Sequence, residues 1–300
     1  MAHVDDVECG ERWEASWGPV LINTWLPWIH WACQSTGAGS LFSKIYIDQP
    51  YADRKGAMDI PLPLSKLALH LVNRDNKDKK YVVLVATGSF NPPTYMHLRM
   101  FELARDALNS EGFCVIGGYM SPVNDAYYKK GLISAEHRIQ LCNLACQSSE
   151  FIMVDPWEAR QSSFQRTLTV LSRVKDFLSE ARLIPSESLK CMLVCGSDLL
   201  HSFGIPGVWI AEQVRGICRD YGVVCIRREG QDVDKIISND EILKENRGNI
   251  RIVDELVPNQ ISSTRIRDCI SRGLSIKYLT ADEVIVYIRE HHLYSNPNDM

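Results

Sequence analysis

Residues 86–100 read ATGSFNPPTYMHLRM, and the way the chain enters and leaves this stretch decides the fold. Tyr81-Val82-Val83-Leu84-Val85 stands before it, an unbroken run of uncharged β-formers. After it, Met100, Phe101, Leu103, Ala104, Ala107 and Leu108 recur at helical spacing. A strand therefore ends in Gly-Ser-Phe-Asn-Pro-Pro-Thr and passes into a helix with His97 in its first turn. Gly88 lets the chain turn sharply and lets backbone N–H groups approach a ligand. The helix offers its N-terminal amides and partial positive charge to a phosphate, and His97 is a further donor near that end. Alone, His97 would read as a capping or packed histidine; the strand-turn-helix setting favours a role at a phosphate. The stretch matches neither the Gly-x-Gly-x-x-Gly dinucleotide fingerprint nor the phosphate loop that ends in Gly-Lys-Ser/Thr, so redox-dinucleotide and P-loop chemistry lack their signatures.

Outward from this stretch the alternation continues. Apolar runs at 81–87, 114–120, 151–155, 190–195, 222–227 and 250–254 read as strands, several almost continuously apolar, as parallel strands covered on both faces are. Helical patterns lie between them at about 96–109, 135–147, 164–181, 211–221 and 233–246, with two more at 263–272 and 281–292. Gly112, Gly222 and Gly248 punctuate helix-to-strand joins. Repeated βα units predict an α/β fold, a doubly wound parallel sheet with right-handed crossovers. Ligands in such sheets bind beyond the carboxyl ends of the strands. The residues there are Gly88-Ser89-Phe90-Asn91, SPVNDAYYKKG from 121, Asp155-Pro156-Trp157, Gly196-Ser197-Asp198, Arg227-Arg228-Glu229-Gly230, and Glu255 followed by PNQISSTRIR.

The second chemical signal is ISSTRIR, 261–267. Ser263 and Thr264 are expected where a helix begins, with Arg267 one turn on. Hydroxyls, free amides and a guanidinium converging on one point suit a triphosphate.

Composition sets bounds. The chain has 300 residues, 45% hydrophobic and 23% charged, with a net charge of -4. That balance argues against a general nucleic-acid binder and leaves anionic small molecules open. The 10 cysteines lack paired zinc spacing and mostly lie in apolar runs, which reads as buried thiols of a reducing compartment, cytoplasm or nucleus. Residues 1–57 differ from the rest. They hold five of the seven tryptophans, and 15–43 contains no Asp, Glu, Lys or Arg. Pro27 interrupts the most apolar part, which is short for a membrane span, and the acidic start is unlike a signal or transit peptide. Residues 1–57 are expected to be a poorly structured or non-native extension, with a membrane-surface anchor as the alternative. Met58 opens MDIPLPLSKLALHL, a natural beginning, and the working protein is expected to start there. Residues 58–80 then read as a lead-in and link, and 81–300 as the principal domain.

GSFNPPTYMH together with ISSTRIR resembles the nicotinamide/nicotinic acid mononucleotide adenylyltransferases of the nucleotidyltransferase α/β superfamily, the plant-like eukaryotic branch most of all. The likeness runs over roughly 81–294, through LRMFELARDAL, SPVNDAYYKKGL, VDPWEA, CGSDLL and GVW. It implies a Rossmann-like nucleotidyltransferase fold and transfer of an adenylyl group from ATP to nicotinamide or nicotinate mononucleotide. It implies Mg²⁺ held mainly by substrate phosphates and water, no protein metal site, and leaves a homo-oligomer open. His97, Arg267 and Lys129 would be catalytic. Gly88, Ser89, Phe90, His97, Gly196, Asp198, Ser263, Thr264, Arg265, Ile266 and Arg267 would hold ATP, with Ser197 beside the ribose. Ser89, Phe90, Tyr127, Tyr128, Lys129, Phe164, Thr167, Val208, Trp209, Glu255 and Asn259 would hold the mononucleotide. Thr94 and Met96 stand where the superfamily's His-x-Gly-His signature has its first histidine and its glycine. Phe164 falls where relatives often carry tryptophan, and YYKKG replaces the commoner YKKKG. Same-fold alternatives are another adenylyl- or cytidylyltransferase; a regulator without turnover is disfavoured by the intact His97, Lys129 and Arg267.

Overall fold

A computed structural model of the protein describes residues 60–295, apart from 77, 229 and 258. The expectations for residues 1–57 lie outside the described residues. Six parallel strands form one sheet: β1 (Tyr81–Gly88), β2 (Cys114–Pro122), β3 (Ile152–Val154), β4 (Leu189–Gly196), β5 (Val223–Arg227) and β6 (Ile250–Asp254). Their order is β3-β2-β1-β4-β5-β6. The chain builds outward from β1 in one direction, then returns to lay β4 on its other side. The carboxyl ends of β1 and β4 therefore diverge at the point where the winding reverses, and a crevice opens there.

The near-continuous apolar strands are explained by two cores, one on each face. Val83, Val85, Leu193, Cys195, Val223 and Cys225 belong to one cluster, and Val82, Leu84, Val194, Val224 and Ile226 to the other. Alternate side chains point to opposite faces, and both faces are covered. The first cluster is closed by α3 (Thr167–Glu180), through Val170, Leu171, Val174 and Leu178. The second is closed by α1 (Tyr95–Ser110) through Met100, Phe101 and Leu108, and by α2 (Ala135–Cys146) through Cys142 and Cys146. A third cluster joins α2 to α8 (Ser263–Ser271), α9 (Asp282–Glu290) and the tail residues Leu293 and Tyr294.

Helix ends follow local chemistry. The α1 helix starts at Thr94, whose hydroxyl accepts the N–H of His97, and ends at Gly112, whose φ of 88° is left-handed. Gly112 N–H donates to the Asn109 carbonyl and Phe113 N–H to that of Leu108, a Schellman closure.

Four expectations needed revision. The helix expected over 164–181 begins only at Thr167, after an extended Arg166. The pattern at 211–221 is α5 (Ala211–Gly216) followed by a π-turn, Ile217–Tyr221. The pattern at 233–246 is two helices, α6 (Val233–Ser238) and α7 (Glu241–Glu245), because Asp240 accepts the N–H of Leu243 and caps a new start. A short helix, α4 (Ser197–Ser202), follows β4 directly, where no helical pattern is expected.

The stretch expected as a lead-in and link is docked on the sheet. Leu62 and Leu67 are buried in the first cluster. Ala68 N–H donates to the Ile116 carbonyl at 2.8 Å, and the Tyr119 hydroxyl donates to that of Pro63 at 2.7 Å. Gly117 leaves the room that Leu67 fills: a Cβ there would lie 2.3 Å from Leu67 Cδ2. Among the described residues no helix is long and apolar enough to cross a membrane.

Candidate active site

The loop from Gly88 to Thr94 leaves β1 at the reversal point and is tied down from several directions. Asn91 is fully buried. Its Nδ2 donates to the Gly131 carbonyl at 2.7 Å, and its carbonyl accepts Arg267 Nη1 at 2.7 Å. Pro92 and Pro93 carbonyls accept the Ser263 and Thr280 hydroxyls at 2.7 and 2.9 Å. Phe90 is buried with a φ of 43°. Such a conformation in a residue other than glycine persists only where packing over-determines it. Its ring lies over Gly88, so a Cβ on Gly88 would come within 3.3 Å of Phe90 Cζ. The backbone there stays bare because the space a side chain would need is already filled.

His97 faces this loop, its ring edge-on to Phe90 at 5.2 Å. Its Nδ1 accepts the Thr94 N–H at 3.0 Å and lies 2.8 Å from the Thr94 hydroxyl. The capping reading and the phosphate reading are thus compatible: one nitrogen serves the cap and the other remains for a ligand. Loss of hydration, then Arg228 and Lys129 nearby, press its pKa down to about 4. The ring is neutral at physiological pH, with its proton on Nε2.

Lys129 Nζ donates to the Ser89 hydroxyl at 3.1 Å. Lys129 is exposed by area, yet the surrounding loop strips part of its hydration; that loss, with repulsion from Arg267 and Arg138, lowers its pKa. Arg138 is a fully buried guanidinium that braces the same loop: it donates to the Ile133 and Ser89 carbonyls at 2.9 and 3.4 Å and pairs with Asp125 at 2.7 Å. Desolvation likewise lowers the pKa of Arg267. Three cationic or donor groups, His97, Lys129 and Arg267, thus surround the Gly88–Asn91 turn, and among the described residues no carboxylate forms an ion pair with Lys129 or Arg267.

At the other lip of the crevice, Asp198 pairs with Arg228 at 2.7 Å and accepts Gln231 Nε2 at 2.7 Å. Gly196 keeps the guanidinium close: a Cβ there would lie 3.3 Å from Arg228 Nε. Thr167, the first residue of α3, holds its hydroxyl 3.4 Å from that of Thr87, which places this helix start at the end of β1. Tyr127 and Phe164 stack with centroids 5.9 Å apart, and both are exposed. Trp209 is anchored by Ser202 Oγ, 2.9 Å from its Nε1, and by an edge contact with Phe203. Val208 beside it and Tyr128 are exposed.

Several sequence expectations shift. The α8 helix begins at Ser263 as expected, but its cap is Ser262, whose hydroxyl accepts the Arg265 N–H, and the Ser263 hydroxyl is spent on Pro92. Thr264 and Arg265 are exposed, with Arg265 bonded to Gln260. Ile266 cannot line a ligand with its side chain: it is wholly buried in the third cluster and anchors the helix instead. Glu255 and Asn259, expected with the aromatic residues, are found beside α1. Glu255 is paired with Arg99 of α1 at 3.1 Å, in a hollow lined by Tyr95, Leu98 and Asn259. Sequence reading gave no role to Asn91, Arg138 or Arg228. Asn91 was visible inside the motif and Arg228 in the loop after β5; a buried Arg138 on a helix carries no sequence signal.

A doubly wound sheet with a cationic turn at its reversal point and two helix starts facing it defines a nucleotidyltransferase. The Cytidylyltransferase-like family model matches residues 85–269. The chain is 70% identical over 238 residues to the nicotinamide/nicotinic acid mononucleotide adenylyltransferase of Arabidopsis thaliana, covering 79% of this chain and 99% of the relative. It is 65% identical to that of Oryza sativa subsp. japonica, covering 79% and 95%. In fold it is similar to a Plasmodium falciparum nicotinic acid mononucleotide adenylyltransferase solved in complex with APC, with a TM-score of 0.51, 17% identity, and 71% and 96% of the two chains covered. The chain belongs to the nicotinamide/nicotinic acid mononucleotide adenylyltransferase family.

Proposed function

We propose that this enzyme joins ATP to nicotinamide or nicotinate mononucleotide, giving NAD or its deamido form and pyrophosphate. The observation that carries the reading is the convergence of His97, Lys129 and Arg267 on the bare Gly88–Asn91 turn, in a chain of this family. The mononucleotide's phosphate is already an anionic nucleophile, so no general base is needed. One of its oxygens bonds to the α-phosphorus of ATP, the bond from that phosphorus to the bridging oxygen breaks in line, and pyrophosphate leaves with the electron pair. The barrier is charge repulsion and misalignment, which positioning and fixed donors lower.

In this scheme Lys129, with Ser89, holds the mononucleotide phosphate. Arg267 and the amide end of α8 take the ATP phosphates, and His97 donates a hydrogen bond from Nε2 without giving up its proton. Asp198 and the bare backbone at Gly196 serve the adenosine ribose. Tyr127, Phe164 and Trp209 supply aromatic faces for the pyridine ring. A divalent cation, Mg²⁺ by preference, would shield the ATP phosphates. The donor set fits one that arrives with the substrate: the groups at the turn are cationic, Asp198 is already paired, and the described residues contain no gathering of three His, Cys, Asp or Glu. The free thiols, most of them buried, support a cytoplasmic or nuclear location.

The test is the full chain with ATP, Mg²⁺ and each mononucleotide in turn, with the dinucleotide separated by chromatography. Product with either supports the reading; nucleotide binding without product from either overturns it.

A further inference from the structure

The tail reaches the site. His292 and Tyr294 have φ of 51° and 63°, a left-handed backbone in residues other than glycine. Between and after these bends Leu293 and Tyr294 are buried, packed in the cluster that contains Ile266 of α8. The Tyr294 hydroxyl donates to Asn91 Oδ1 at 2.9 Å, a bond across 203 residues of sequence. That oxygen also faces the Ile133 N–H at 3.4 Å, while Asn91 Nδ2 faces the Gly131 carbonyl. An amide can be turned end for end; here the Gly131 carbonyl, which only accepts, and the Ile133 N–H, which only donates, fix which end faces which way. The phenol, 2.9 Å from Oδ1 against 3.4 Å for the Ile133 N–H, is the closer tether and holds the side chain in place.

We propose that Tyr294 is a positioning residue of the nucleotide site: its hydroxyl sets the Asn91 amide, and through Asn91 the placing of Arg267 and of the Lys129 loop. Both arms are on the same residue. The Asn91 carbonyl receives Arg267, and the Asn91 side chain holds Gly131, two residues beyond Lys129. A shift of this asparagine therefore moves both cations relative to the phosphates they hold. The tail contributes no group to the reaction itself.

This inference rests on the adenylyltransferase reading, and the experiment separates the two. Full-length wild type and Tyr294→Phe, which removes one oxygen and keeps the ring, are assayed for dinucleotide formation, and thermal unfolding is followed on the same preparations. Turnover should fall about tenfold, with both KM values within about twofold, because alignment rather than affinity is lost. In an Arg267→Lys background the same change should bring little further loss, since both act through one contact. Wild-type turnover in Tyr294→Phe with a lowered Tm would make the hydroxyl merely structural and overturn the proposal. An equal loss in both backgrounds would overturn it too. Should Tyr294→Phe fail to fold, a fluorinated tyrosine at 294 alters the hydroxyl's donor strength with the ring kept; unchanged turnover there overturns the proposal. If wild type itself makes no dinucleotide, the adenylyltransferase reading fails first and this inference falls with it.

Discussion

His97 Nδ1 accepts the Thr94 backbone N–H at 3.0 Å, so the imidazole that closes the first turn of α1 presents a protonated Nε2 to the crevice. One residue caps the helix and arms its end.

Removing it should therefore have two effects. His97→Ala should lower turnover about 10²-fold, as losing a preorganised donor does, and cost about 1 kcal/mol of stability through the lost cap. The ring's pKa is about 4 in the fold against 6.5 unfolded. The folded state binds fewer protons, so this contribution is complete above 6.5 and is lost as pH falls towards 4. A histidine titration followed by NMR should show no His97 midpoint between about pH 6 and 8; a midpoint near 6.5 would mean the fold does not strip the ring of its hydration.

Arg228 should matter although no motif marks it. Arg228→Ala removes the ion-pair partner of Asp198, leaving it the Gln231 bond, and removes a charge beside His97. KM for ATP should rise about tenfold, the scale of one charged hydrogen bond, and the His97 pKa should climb. An unmoved pKa and KM would place Arg228 outside the site.

The aromatic residues should divide affinity from rate. Trp209→Ala and Phe164→Ala should raise the KM for the mononucleotide several-fold, on the order of a stacking contact, more than that for ATP. Steady-state kinetics with each substrate varied checks this; equal effects on both substrates would deny ring stacking there.

Glu158 is buried at 2% exposure, with the Ser121 hydroxyl donating to its Oε2 at 3.1 Å. Burial raises its pKa to about 8 from 4.5, against the opposing pull of that hydrogen bond. A raised carboxyl contributes stability below 4.5 and loses it as pH rises through 8. Glu158→Gln should fold and should flatten the decline of Tm across that window. Identical slopes in both proteins would show the carboxylate is charged.

Leu67→Ala should destabilise the protein by about 2–3 kcal/mol, since its side chain fills the space over Gly117. Denaturant unfolding measures this, and a change near zero would return 60–72 to the status of a loose leader.

Much of the site was legible because it is local. The Gly88 turn, His97 one helical turn on, and Arg267 after the last strand follow from spacing within short segments. What escaped depends on partners distant in the chain. Arg138 looks like a surface residue until the fold buries it against Ser89 and Ile133. Glu255 was grouped with the aromatic residues, and only the fold pairs it with Arg99 of α1. Ile266 sits inside the ISSTRIR motif, yet its side chain belongs to the third core. Helix 233–246 broke at Asp240 because a cap outweighs a continuing apolar period.

By itself, then, the sequence determined the six strands, their parallel winding and the place of the Gly88–Asn91 turn, because periodicity, glycine and capping chemistry act over a few residues. Only the tertiary structure decided how that turn is held: by Arg267, by Ser263 and by Tyr294 from 203 residues away. Such contacts are made by chain closure, and no local pattern encodes which distant hydroxyl will meet a buried asparagine.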